Sequence, residues 1–328
     1  MSKGIVREWI GGLVTGWGLC GRLREGAGGT FYEMKKGAGG TFYGVILAGM
    51  LVAGGSGEAR ADLPSLNEAP WFGFFAGHDG NRGKFGIARD GVLYYNHSED
   101  LENVNSGYFH RIRPAVEEAR PDGAIVIRRL VTETLESDDE PAIDSDRITF
   151  RGQVQGGARV EVVVEFGRRE VSVGGRIIEP APGDPPQRFV LETRAPPFYR
   201  SYNERQILRE GSPEERARLE RRNARQEATA SRENLVLRRL GGSRERVPLL
   251  DEIDLSCPEF NEGGFSGIEI DIDALRGRRV RIGTTEDSRM TFSNEESKPV
   301  FKNSYTFTWH EDPARRNAGT GRLVFETR

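Results

Sequence analysis

Three acids stand two apart in the stretch Gly267–Ala274: Glu269, Asp271 and Asp273 alternate with Ile268, Ile270 and Ile272. On an extended strand, side chains at i and i+2 share a face and sit about 6.5–7 Å apart. That separation overlaps the carboxylate spacing of glycoside hydrolysis, where one group works as acid and the other as base or nucleophile. Carboxylates so placed are also the hard oxygen donors that calcium takes. Glu269 and Asp271 are therefore a candidate acid/base pair, and Asp271 and Asp273 candidate calcium ligands. Calcium is the one cofactor these residues suggest. The opposing reading makes the acids the solvated side of a strand whose isoleucines face a core. Nothing in the sequence marks a cleft around them, and that reading is preferred, leaving catalytic and metal residues unassigned.

A second candidate is "GHDGNRGK", residues 77–84. Gly77, Gly80 and Gly83 let a ligand approach the backbone closely. His78, Asp79, Asn81 and Arg82 offer the donors and acceptors that a polar, sugar-like partner requires, and they are the ligand-binding candidates. A glycine-rich hairpin loop with solvated side chains reads the same way. The stretch is not a phosphate loop, because no GxxxxGK[ST] pattern and no βαβ unit surround it. A third feature, the row Tyr305, Phe307, Trp309, is either a platform for stacking sugar rings or a core face, and the core face is preferred.

Other chemistries find no residues. The four histidines, His78, His97, His110 and His310, show no zinc-type spacing with cysteine. No GxSxG elbow is present. The cysteines are Cys20 and Cys257, and only Cys257 survives the processing described next.

The N-terminal stretch has the layout of an export signal. Lys35 and Lys36 give a cationic start, Val45–Ala53 a short apolar centre, and Ala59-Arg60-Ala61 small residues before a cut at Asp62. "GAGGTFY" occurs twice, at 26–32 and 37–43, on either side of Met34. We read Met34 as the true start, residues 1–33 as an over-extended reading frame, and the product as periplasmic or extracellular. The whole chain has a net charge of −3; residues 1–61 carry seven cationic and four acidic side chains, which leaves 40 and 46, a net of −6. Nucleic-acid or anionic-membrane binding would need a basic excess.

The elements that must hold these residues follow from period-2 alternation. Val160, Val162, Val164 and Phe166 share one face, with Glu161 and Glu165 on the other. Tyr305–His310 alternates in the same way. Such patterns mark half-buried antiparallel strands. "FGIARDGVLYYN" (Phe85–Asn96) reads as a hairpin turning at Asp90-Gly91. Turns are expected at Gly156-Gly157, Gly174-Gly175, residues 181–186, Gly241-Gly242 and Gly263-Gly264. One segment differs: Ser212 reads as an N-cap, Pro213 as the first helical residue, and Glu214 and Glu215 as first-turn acids. The helix they start, about 212–232, is too polar to bury much.

Three short matches suggest an internal duplication. "APWF" (69–72) resembles "APPF" (195–198), "DRITF" (146–150) resembles "SRMTF" (288–292), and "RFVLETR" (188–194) resembles "RLVFETR" (322–328). The expected fold is all-β: two tandem antiparallel sandwiches of jelly-roll or immunoglobulin-like type, 62–194 and 195–328, with a polar helical insertion in the second. The expected function is non-catalytic binding or a structural role in the cell envelope, with a glycan or another protein as partner. The alternative is a polysaccharide-directed hydrolase using Glu269 and Asp271.

Overall fold

The computed structural model describes residues 62–80, 83–96, 110–183, 185–196, 198–199, 204–251, 254–255, 265–286, 288–293, 305–311 and 317–328. The expected export signal, Asn81, Arg82, His97, Cys20, Cys257 and Gly263-Gly264 lie outside them. The described residues all fall in one compact unit.

The described residues are mostly β-strand, as the alternation predicts. Hydrogen bonding resolves them into two long runs. The first, in spatial order, is β6 (Ala142–Ile143), β1 (Phe74–Gly80), β2 (Gly83–Ala88), β3 (Leu93–Asn96), β4 (His110–Ala119), β10 (Gln187–Arg194), β17 (Thr306–Glu311), β16 (Ser288–Ser293) and β13 (Asp254–Leu255). β5 (Ile125–Arg129) takes over from β3 beside the second half of β4. Pro114 stands between the two partners, Ile112 pairing with β3 and Ala115 with β5. A proline cannot donate to a ladder, so it is tolerated in this strand where the neighbour changes.

The second run is β7 (Arg147–Gln153), β8 (Arg159–Phe166), β9 (Glu170–Glu179), β18 (Leu323–Thr327), β15 (Val280–Thr284), β14 (Phe265–Ile270), β11 (Asn234–Arg239) and β12 (Arg244–Pro248). Phe265↔Met290 and the bridge Leu130↔Val154, just past β5 and β7, join the runs, so the whole is one curled sheet system.

The runs face each other across a shared core. Phe85 of β2 meets Phe166 of β8 edge-on at 5.7 Å, and Tyr95 of β3 meets Phe325 of β18 at 4.9 Å, though none of these strands is paired with the other. The alternating sets behave as their spacing requires: Val160, Val162, Val164 and Phe166 are buried, as are Tyr305, Phe307 and Trp309. The aromatic row is therefore core and not an exposed platform. One hydrophobic cluster takes in residues of both runs and both halves of the chain. The ladders β10–β17 and β9–β18 cross between residues 62–194 and 195–328, so the two halves share their sheets instead of closing separately.

Local signals are met at the hairpin β2–β3, where Gly91 has φ +75° and Asp90 Oδ1 accepts the Val92 N–H at 3.1 Å. Helix α1 (Glu204–Glu210) precedes α2 (Pro213–Ala230), whose Ser212 hydroxyl accepts the Glu215 N–H at 3.2 Å while Glu215 accepts the Ser212 N–H at 2.8 Å. This reciprocal cap is what Ser-x-x-Glu encodes. Only Leu219 and Ala230 of α2 are buried.

Two local expectations are corrected. Gly174-Gly175 is not a turn but the middle of β9. A Cβ on Gly175 would come within 2.5 Å of both the Glu161 carbonyl oxygen and the Phe189 ring, so glycine is needed there for close approach between the runs. The stripe of three acids is also interrupted. β14 ends at Ile270, and Asp273 opens a 3-10 turn closed by Arg276 at φ +54°. Asp271 and Asp273 therefore do not continue Glu269's strand.

Candidate functional site

The expected loop 77–84 is a β-hairpin: Gly77–Gly80 belong to β1 and Gly83–Lys84 to β2. A Cβ on Gly77 would lie 2.2 Å from the Trp71 ring, so that glycine serves packing and not a ligand. His78 and Asp79 are thus strand residues facing opposite ways. His78 turns inward and stacks on Phe166 at 4.9 Å with an interplanar angle of 27°. Asp79 turns outward, 3.3 Å from the Lys84 ammonium.

Asp144 completes the arrangement. A short parallel pairing, Ala76↔Ala142 and Gly77↔Ile143, brings it alongside β1. Its Oδ1 accepts the Asp79 N–H at 3.0 Å and lies 3.2 Å from His78 Nδ1. The residue adopts φ +56°, a left-handed conformation that aspartate tolerates better than most side chains. The imidazole is held by a carboxylate on one side and a phenyl ring on the other. Nδ1 faces Asp144, while Nε2 is buried with no protein partner among the described residues. Buried polar atoms in native proteins nearly always find a partner, and an unmatched one calls for a water or a ligand.

Such space exists beside it. A notch with a volume of about 20 Å³ is lined by His78, Tyr95, Glu170, Phe325, Thr327 and the Gly167–Arg169 turn. That volume holds about one water molecule. The Tyr95 hydroxyl bonds to the Thr327 hydroxyl across the two runs. Burial pushes the Tyr95 phenol up to about 12, only partly offset by that bond, so the group stays neutral. Arg168, Arg169 and Glu170 are exposed at the rim. The notch can orient a polar group against a fixed imidazole and a fixed phenol. Its volume does not enclose a sugar ring, so a saccharide there would lie on the surface and insert a substituent.

Of the expected ligand residues, His78 reaches the notch, Asp79 points away from it, and Asn81 and Arg82 lie outside the described residues. Sequence reasoning missed Asp144, Tyr95 and Thr327. Asp144 had only its place in an acidic, turn-rich stretch as a signal; Tyr95 and Thr327 are far apart in sequence and meet only because β3 faces β18.

The acids occupy a different environment. Glu269 lies on the outer face between Arg238 of β11, to which it is ion-paired, and Arg244 of β12 at 3.5 Å. Burial pushes its carboxyl up, but the Arg238 hydrogen bond and the charges of Arg238, Arg244 and Arg281 outweigh this and hold it below the usual range. A general acid needs the opposite shift. Asp271 is ion-paired with Arg279, and the Asp273 N–H donates to Glu233 at 2.6 Å. Among the described residues, no three His, Cys, Asp or Glu side chains converge as a metal site.

No family model matches this chain, and no curated protein is similar to it in sequence. Among solved structures it is similar to the alpha-N-acetylgalactosaminidase NagBb from Bifidobacterium bifidum, in its complex with Gal-NHAc-DNJ. The TM-score is 0.42 at 10% identity, over 77% of this chain and 35% of that one. This chain thus spans about a third of that protein's length, and a likeness of this degree carries no conclusion about activity.

Proposed function

We propose that this protein is an exported, non-catalytic binding protein of the cell envelope, which takes a glycan, or a polar group of another envelope protein, at the His78 notch. The observation that supports this is an imidazole fixed between Asp144 and Phe166, whose buried Nε2 has no protein partner among the described residues and stands beside the notch. Groups held in place by packing lose little freedom on binding, which is what a recognition site requires. The reading needs neither calcium nor a membrane span. Residues 62–194 and 195–328 are, on the same reading, related copies whose final strands, β10 and β18, each pair with a strand of the other half.

The test is a glycan array and a panel of glycosidase substrates, run on the full chain and on His78→Ala and Glu269→Gln. Binding without turnover, lost in His78→Ala and kept in Glu269→Gln, is the expected result. Turnover that disappears in Glu269→Gln would replace this reading with the hydrolase one.

A further inference from the structure

Several arginines on the strands are matched to carboxylates: Arg128 to Glu118, Arg188 to Glu117, Arg151 to Glu161 and Arg159 to Glu179. β4 carries two that are not. Arg111 and Arg113 flank the core residue Ile112, so both leave the outer face of the sheet, about 6.5–7 Å apart. Both are exposed, and neither is ion-paired among the described residues. The acid directly opposite Arg113 is Glu192, whose carboxylate instead lies 3.5 Å from Arg129. Arg111 lies over the Tyr94 ring at 5.9 Å, and that ring is braced edge-on by Phe74 at 5.9 Å. Cation–π contact of this kind fixes the guanidinium without neutralising it. Arg194 stands directly opposite Arg111 and places a third guanidinium on the same face.

We propose that Arg111 and Arg113 form a subsite for the carboxylate of an acidic sugar residue, and that the protein's glycan is of uronate type. The sugar part rests on the glycan reading above; the carboxylate part does not. Guanidinium forks match a carboxylate with two parallel hydrogen bonds. A nucleic acid would require a longer basic track, and the chain from Asp62 onward is net acidic.

The experiment titrates the full chain with a galacturonate hexamer, a neutral galactose hexamer and free galacturonate, and follows the arginine Nε–H signals by NMR. The acidic hexamer should bind at least tenfold tighter than the neutral one. Arg111→Gln/Arg113→Gln should erase that preference without changing neutral binding or the thermal midpoint. Arg111→Lys/Arg113→Lys, which keeps the charge but not the fork, should retain part of it. Equal affinity for both hexamers, or a preference that survives the double glutamine variant, overturns the subsite and leaves the glycan reading standing. If neither hexamer binds but free galacturonate shifts the Arg111 and Arg113 signals, the subsite stands and the glycan reading falls. No response to any of the three overturns both.

Discussion

The outer face of β14, β15 and β18 and the notch at the end of β1 are both rich in polar groups, and they treat those groups in opposite ways. On the outer face every acid considered is answered: Glu269 by Arg238 and Arg244, Glu326 by Arg281 and Arg328, Asp271 by Arg279. At the notch a histidine is packed on two sides with Nδ1 facing Asp144, yet its buried Nε2 has no protein partner among the described residues. Half-exposed ion pairs contribute little to stability, typically under about 1 kcal/mol each, and they occupy the very groups a substrate would need. A buried polar atom without a partner costs about 1–3 kcal/mol.

Substitutions at the two places should separate them by size of effect. Phe325→Ala removes the ring on which Tyr95 and His110 both pack, and should destabilise the fold by about 3–5 kcal/mol, read as a fall in the urea midpoint. If the loss is under about 1 kcal/mol, the two runs do not share the core described. Tyr95→Phe leaves the Thr327 hydroxyl without its partner across the runs and should cost about 1–2 kcal/mol by the same measurement. His78→Ala should lower affinity for the bound glycan at least tenfold, about 1.4 kcal/mol, and lower the midpoint less than Phe325→Ala does.

Glu269→Gln should have the smallest effect, within about 1 kcal/mol at neutral pH, and leave binding unchanged. Its sign with pH is fixed. Because the folded carboxyl is held below its usual range, its contribution is complete above about pH 4.3, the unfolded value, and is lost as pH falls through the folded one. The wild-type and Glu269→Gln stability curves should therefore differ above that pH and converge in acid. Convergence at neutral pH with divergence in acid would contradict the ion-pair account.

The strands were legible because a one-sided core imposes period 2: Val160 to Phe166 and Tyr305 to Trp309 are buried as their alternation requires. The helix start was legible because Ser212 and Glu215 cap each other locally. What failed to show was whatever depends on distant segments. Gly174-Gly175 looks like a turn, and only the approach of Phe189 and the Glu161 carbonyl reveals why glycine is there. The sharing of strands between the halves depends on β10 finding β17 and β18 finding β9, which no local pattern records. The site was half legible for the same reason. His78 stands out by type and by its glycine neighbours, while Asp144, Tyr95 and Thr327 acquire meaning only from the strands that bring them together.

The most direct measurement compares His78→Ala with Glu269→Gln on one glycan array, with reducing-sugar release followed in parallel. The account predicts that the glycans held by the wild type are kept by Glu269→Gln, lost by His78→Ala, and never cleaved. Sugar released by the wild type and abolished in Glu269→Gln, with binding intact in His78→Ala, would contradict it.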